Sequence, residues 1–376
     1  MKKTIYILSL LFTTGYSAAQ TTAIPDVNFE QELISLGLDV VLDGQVFTAN
    51  IDTLTNLNVF NKNISDLTGI EDFTALTSLN CSNNLLVNLN VTQNTSLTVL
   101  NCTGNSLINI NVTQNIGLTD LSCGNNQLTS LNVTQNTNLI SLGCFVNQLS
   151  ILDITQNTIL TTLDCSNNLL SNIDITQNTN LSSISCSYNQ LINLVVTQHT
   201  NLIGLSCENN QLSSLDLTQN TMLAILYCDN NLLTNLDVRN GNNSNVVLFG
   251  ASSNPNLDCI YVDNKNASYL TSWTKDVSTY WANDSLDCQT IISVDEYLLE
   301  SFTDVYPNPN NGVFTIKIVN YNNAMAEIYN LSGQLILNNK ILKNHTTIDL
   351  TKFSKGIYFV KVETSGETIV EKIVYY

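Results

Sequence analysis

The chain of 376 residues is short of most things that a basic, metal-bound or proline-rich protein needs: it has 13 Lys and Arg, 2 His, 4 Pro, 15 Gly and 2 Trp. So little Pro and Gly excludes collagen-like polymers, and 43% apolar residues with only 12% charged ones exclude an unfolded tail. Basic residues are scarcest between 20 and 300, where 4 stand against 25 Asp and Glu, whereas residues 301–376 hold 7 against 6. An acidic body of this kind repels phosphate backbones and lacks the clustered Lys and Arg that anionic lipid attracts. Nucleic acid and peripheral membrane binding are both excluded. No apolar run approaches the roughly 20 residues a spanning helix requires.

Catalytic constellations are equally scarce. His199 and His345 have no Glu or His at metal-binding spacing, and there is no nucleophile-elbow GxSxG, P-loop or Rossmann glycine fingerprint. The acid pairs Glu71-Asp72 and Asp295-Glu296 read as solvated loop carboxylates. The sequence therefore predicts neither an enzyme nor a cofactor. A Ca²⁺ role for the acids is a further, weaker idea.

What the chain does have begins with Lys2 and Lys3, the apolar run Ile5–Phe12 and the small residues Ser17-Ala18-Ala19. That order of charged, apolar and small segments predicts a secretory signal peptide over 1–19, cleaved after Ala19. The first cysteine is Cys81, so the cleavage point offers no thiol for lipid attachment.

From Leu76 the sequence repeats itself. Eight units of 21 residues follow without insertion to Val238, headed by Leu76, Leu97, Leu118, Leu139, Leu160, Leu181, Leu202 and Leu223, in the pattern LxxLxCxxNxLxxLxVTQNxx. A degenerate unit precedes them through Leu54, Leu57 and Val59, and another follows through Phe249, Ala251 and Asn254. Leu79 and Cys81 are two apart, so on a strand both point inward while Ser78, Asn80 and Ser82 point outward. One unit cannot bury its own leucines, and stacking does so. Nine or ten coils at about 4.8 Å each predict a solenoid with a parallel sheet along one side. The short LxVTQN half, with its β-branched residues and Asn, predicts turns rather than helices.

Eight cysteines from Cys81 to Cys228 recur every 21 residues and occupy one inward position on successive coils. Stacked parallel Cβ vectors disfavour disulfides, and the thiols read as small buried hydrophobes; a metal stack or redox ladder is the lesser alternative. Cys259 and Cys288 lie outside the ladder of an exported chain and are expected to form a disulfide pinning the C-terminal cap. The Asn84 series is expected to satisfy turn backbone of its own and the neighbouring coil, with the Thr-Gln-Asn triplets acting alike on the other turn. His199 replaces one triplet Asn and reads as a satisfied surface histidine.

These units resemble the leucine-rich repeat family, and the Cys-bearing 21-residue form is similar to the cysteine-ladder repeats of internalin J. The resemblance spans about 54–262 and implies a curved scaffold that binds a protein or glycan on its concave sheet. The outward strand positions then nominate Asp120, Phe145, Asp164, Glu208, Ile225, Tyr227 and Asp229 as ligand contacts, aromatic anchors among polar groups. A passive surface or matrix spacer is the alternative.

A solenoid needs ends, and residues 20–53, with a helical run from Glu30 to Leu38, are expected to cap the first coil while 263–292 cap the last, Trp273 and Trp281 serving as core. Residues 293–302 read as a linker. Over 303–376 the periodicity disappears and β-like runs such as Val313–Ile318 alternate with turns at Asn311-Gly312, Ser332-Gly333 and Ser365-Gly366, which predicts an antiparallel sandwich of about seven strands. The motifs Tyr306-Pro307-Asn308-Pro309-Asn310-Asn311-Gly312, Tyr329–Gly333, Lys355-Gly356-Ile357-Tyr358 and Glu371–Val374 resemble the type A C-terminal sorting domain of the type IX secretion system. That resemblance implies a Bacteroidetes protein handed to the secretion machinery at the outer membrane, with Tyr306, Pro307, Asn308, Pro309, Gly312, Gly356 and Tyr358 carrying the sorting motif. The expected fold class is thus mostly β: a leucine-rich repeat solenoid with a curved parallel sheet, followed by a small antiparallel β-sandwich.

Overall fold

The structure, a computed structural model, describes residues 20–300, 303–318, 324–363 and 368–376. The predicted signal peptide over 1–19 and the Ser365-Gly366 turn lie outside the described residues. The chain divides into two units, with the boundary between Ser285 and Leu286.

In the first unit the repeat becomes a solenoid because each 21-residue unit places a three-residue strand with a buried middle residue on the same side of its coil. Leu79, Leu100, Leu121, Leu142, Leu163, Ile184, Leu205 and Leu226 all point into the core, and the next inward position is the cysteine. Successive strands pair in parallel and in register with the repeat, Leu142 beside Leu163 and Leu163 beside Ile184. Eleven strands form this long sheet. Ten belong to the coils read from the sequence, and Thr274–Lys275 of the C-terminal cap adds one more beside Leu248–Ala251. The opposite turns of the LxVTQN pattern carry no helix, as that pattern predicts; short 3-10 turns occur at Ile70–Asp72 and Asn243–Asn245, in coils that depart from it. Over the last coils they straighten into a second parallel sheet of four strands, Ser214–Asp216, Asn235–Asp237, Cys259–Tyr261 and Tyr280–Ala282.

Two asparagine ladders hold the coils together. Asn168 donates from Nδ2 to the carbonyls of Cys144 and Cys165 at 3.0 and 3.1 Å, while its Oδ1 accepts from the Leu149 amide at 3.0 Å. The same set recurs along the Asn84 series, so one amide satisfies groups on two adjacent coils. On the other turn Asn157 donates to the carbonyls of Val133 and Asn136 at 3.0 and 2.8 Å. Its neighbours Asn136 and Asn178 do the same one coil away.

His199 stands in this second ladder and is fully buried, not a surface residue as its isolated occurrence suggests. Its Nε2 lies 3.1 Å from the Ile175 carbonyl, and Nδ1 has no hydrogen-bond partner. Burial holds the imidazole below its ordinary pKa, against the opposing pull of the backbone carbonyls. The unfolded ring, near 6.5, therefore binds protons that the folded ring refuses. The contribution of the neutral ring is whole above that value and is lost as pH falls from 6.5 through the lower folded value. His199→Asn, which restores the two-donor ladder residue, is expected to flatten the decline of melting temperature between pH 7 and acid pH. A decline of equal steepness in both proteins would assign the pH dependence to other groups.

The N-terminal helix runs over Val27–Ser35, a few residues before the run read from the sequence, because Asp26 caps it. Asp26 Oδ1 accepts from the amides of Asn28 and Phe29, and Oδ2 accepts from the amides of Ser65 and Asp66 and from Ser65 Oγ. One carboxylate thus starts the helix and ties the cap to the first coil. At the other end Trp273 is buried and stacks on Phe249 at 4.1 Å between ring centroids, with the Trp281 edge 6.0 Å from the same ring. A helix, Ser285–Glu300, occupies the stretch that the sequence reading divides between cap and linker.

The second unit holds two antiparallel sheets. Thr303–Tyr306, Val313–Ile318 and His345–Asp349 make the first; Leu335–Lys340, Met325–Asn330, Gly356–Glu363 and Thr368–Tyr375 make the second. Phe314, Ile316, Ile328, Ile348, Val360 and Ile373 fill the space between.

Candidate functional site

The outward face of the long sheet is built from the third, fifth and seventh residues of each unit, which the strand pleat turns away from the core. Every nominated contact, Asp120, Phe145, Asp164, Glu208, Ile225, Tyr227 and Asp229, lies on this face and is half-buried. They are not equally available. Asp120 accepts from Thr119 Oγ1 at 2.7 Å, Asp164 from Ser166 Oγ at 2.6 Å, and Asp229 from the Ser252 amide at 2.8 Å. Glu208 differs, because its Oε2 is enclosed and has no hydrogen-bond partner; the hydroxyl of Ser187, at the same position one coil earlier, is likewise buried and unpaired.

The Phe145 ring lies flat against the chain of the preceding coil. A Cβ built on Gly124 would come within 2.5 Å of that ring, so the glycine is what lets the aromatic settle there. Gly124→Ala is expected to displace the ring.

Two residues absent from the sequence reading lie along the edge of this face. The eighth position of the units has left-handed backbone, filled by Asn83, Gly104, Asn125, Asn167, Asn209 and Asn230, but by Val146 and Tyr188 in two coils. The signal was available as a departure from the repeat, although inward–outward alternation does not register it.

The ladder thiols face away from this surface. All eight are free and fully buried. Burial pushes the thiols of Cys81, Cys123 and Cys165 up to about 12, so near neutrality they are held as neutral thiols. Ellman's reagent should find no reactive thiol in the native protein and eight after denaturation. Rapid native labelling would contradict this burial. Cys259 and Cys288 are disulfide-bonded.

Among the described residues no group of three or more His, Cys, Asp and Glu is arranged to hold a metal, and no helix is long and apolar enough to cross a membrane.

In the second unit the sorting motif grips the end of the chain. Asn308 donates from Nδ2 to the Lys372 carbonyl at 2.6 Å and accepts the Val374 amide on Oδ1 at 2.9 Å, so it replaces a strand neighbour on both sides of Ile373. The Asn310 amide donates to the Val374 carbonyl at 2.8 Å, and the Tyr376 amide donates back to the Asn310 carbonyl at 3.1 Å. Gly312 has φ +100°, and a Cβ there would meet the Tyr375 ring at 2.9 Å. Pro307 and Pro309 follow cis peptide bonds that set the path between these contacts, and Tyr306 is exposed at its start. The Asn330–Ser332 and Lys355–Tyr358 segments, Gly356 included, line one cavity of about 620 Å³ with Ile336 and Phe353.

Residues 304–376 match the family described as the secretion system C-terminal sorting domain. The structure of an internalin, InlF, from Listeria monocytogenes superposes with a TM-score of 0.54 at 18% identity, covering 70% of this chain and 96% of that one. The functional domain of InlJ from the same organism, which includes a cysteine ladder, covers 96% of this chain and all of its own at 22% identity and a TM-score of 0.34. A leucine-rich repeat protein of Leptospira interrogans covers 66% of this chain and 60% of its own at 23% identity and a TM-score of 0.48. No curated protein matches the chain. The chain therefore combines a leucine-rich repeat fold with a C-terminal sorting domain of the type IX kind, which indicates export to the cell surface or medium.

Proposed function

We propose that the protein is a surface or secreted binding protein, an adhesin, that recognises a protein or glycan through the outward face of its long sheet. The observation that supports this most is the character of that face, where Phe145, Ile225 and Tyr227 stand half-buried among small polar residues and the carboxylates of Asp164, Glu208 and Asp229. A surface kept only for solubility has no use for aromatic side chains on its sheet, since each exposes apolar area to water. The solenoid supplies a rigid frame, so few side chains need be ordered on binding. The pairing of Cys259 with Cys288 belongs to the same reading, as a staple suited to an oxidising exterior.

Immobilised protein exposed to glycan panels and to arrays of purified surface proteins tests the reading. Saturable capture of a defined class is expected, and it should disappear in Phe145→Ala/Tyr227→Ala. An array on which nothing is captured would favour a passive spacer.

A further inference from the structure

Val146 and Tyr188 occupy left-handed backbone, at φ 49° and 54°. Asn tolerates this conformation because its short polar side chain bonds locally, and Gly has no Cβ to clash, which accounts for the residues that fill the same position in the other six units. A β-branched Val there is an outlier, and Tyr gains nothing locally that Asn would not. Neither side chain is compensated by burial, since Val146 is 42% and Tyr188 54% exposed. The fold therefore carries strain at two points where an exposed apolar group is what results. Strain held in this way marks positions kept for contact rather than for stability.

The two positions stack along one edge of the outward face, with only the Asn167 coil between them. The Val146 amide donates to the Ser166 carbonyl and the Tyr188 amide to the Glu208 carbonyl, both at 2.9 Å, so the edge is continuous with the sheet ladder. Phe145 adjoins Val146, and Tyr188 adjoins the unpaired Ser187 hydroxyl and the coil bearing the unpaired Glu208 oxygen. Across the ten repeat strands the outward positions hold Asp120, Asp164, Glu208 and Asp229 and not one Lys or Arg.

We infer that Phe145, Val146, Tyr188 and Glu208 form the centre of a docking site for a basic polypeptide segment that carries an aliphatic or aromatic anchor. This inference rests on the sheet-face binding proposed above and assigns its partner class. Charge complementarity selects the occupant. A half-buried carboxylate on a face whose repeat strands present no Lys or Arg favours a Lys or Arg over a neutral sugar hydroxyl. The exposed Tyr188 ring accepts a guanidinium over its face, and Val146 with Phe145 supplies the apolar seat.

The test uses the full chain, an immobilised panel of short synthetic peptides that combine Arg or Lys with one Trp or Leu, their Glu-for-Arg counterparts, and a neutral glycan panel. Basic peptides are expected to bind and to weaken with added salt, the acidic counterparts to fail. The variant Val146→Asn/Tyr188→Asn should bind about tenfold less tightly, which is the loss of one anchor. The same variant should melt about 2 °C higher because the strain is relieved. A binding defect caused by misfolding would instead lower the melting temperature, and a variant that melts lower overturns the strain argument. Glycans bound in place of peptides would overturn the partner class, and peptides bound equally by the variant would overturn the position, each leaving the sheet-face reading standing. Wild-type protein that binds nothing on either panel overturns both.

Discussion

Asn157→Ala is expected to lower stability by about 2–4 kcal/mol, one of the two largest effects in the molecule. The side chain satisfies the carbonyls of Val133 and Asn136, and both are enclosed once the coils stack. Water cannot replace it without opening the interface between coils, so alanine removes the second donor from two buried carbonyls, each left with only its backbone partner, the Asn136 amide on Val133 and the Leu139 amide on Asn136, and leaves a void beside them. Its position in the middle of the array adds to the loss, since a solenoid is held by nearest-neighbour interfaces and a weak one in the centre divides it. Asn157→Asp makes the sharper case. It keeps the shape but places acceptors against acceptors, so it should be at least as damaging as alanine. Urea unfolding followed by circular dichroism reads both, and an aspartate variant as stable as the parent would show that the ladder is not held by these donors.

Asn308→Ala should cut export several-fold. Two hydrogen bonds to Lys372 and Val374 are lost from a β-sandwich of about seventy residues, a size at which stability is marginal and small losses translate into large changes in abundance. With the terminal strand loosened, the folded surface that the secretion machinery handles is incompletely populated. The measurement is the fraction of the chain at the cell surface and in the medium of a host with type IX secretion, against the fraction retained inside. Asn338→Ala, an exposed asparagine in the same unit, is the control and should export normally. Equal export of both variants would remove the clamp from the sorting mechanism.

The solenoid was legible in the sequence because one buried interface is written eight times. Any substitution that matters is visible against its equivalents, and the periods of 2 and 21 separate inward from outward residues with no knowledge of the fold. The same redundancy misled at His199. A single departure looked like a surface accident, whereas its place in the ladder, between Asn178 and Asn220, is what buries it. The strand at Thr274–Lys275 escaped because it lies past the end of the 21-residue register and is recruited by the exposed edge of Leu248–Ala251. Handedness of the backbone escaped for a different reason. Val146 and Tyr188 are exceptional in carrying a bulky side chain on the left-handed backbone that Asn or Gly fills in the other units, and a hydrophobic pattern does not encode φ. The sorting motif shows a third case: its residues were readable as a set, but that Asn308 and Asn310 act on Lys372, Val374 and Tyr376, more than sixty residues away, follows only from the closure of the sandwich.

The ladders fix a rigid sheet whose outward positions are free to vary without cost to the core, and the tail carries that sheet out of the cell. Under the proposed binding role, contacts can be placed on any coil, so the exceptional residues rather than the regular ones are the candidates.

The central claim, that the outward sheet face does the binding, is tested most directly by comparing two variants for capture of whatever the immobilised parent retains. One is the sheet-face change Phe145→Ala/Tyr227→Ala/Asp229→Asn. The other is Ile151→Ser/Ile192→Ser, at apolar residues 77% and 63% exposed that lie away from the long sheet's strands. Loss of capture in the first with full retention in the second is the expected result. Capture lost only in the second, or kept equally by both, would contradict the account.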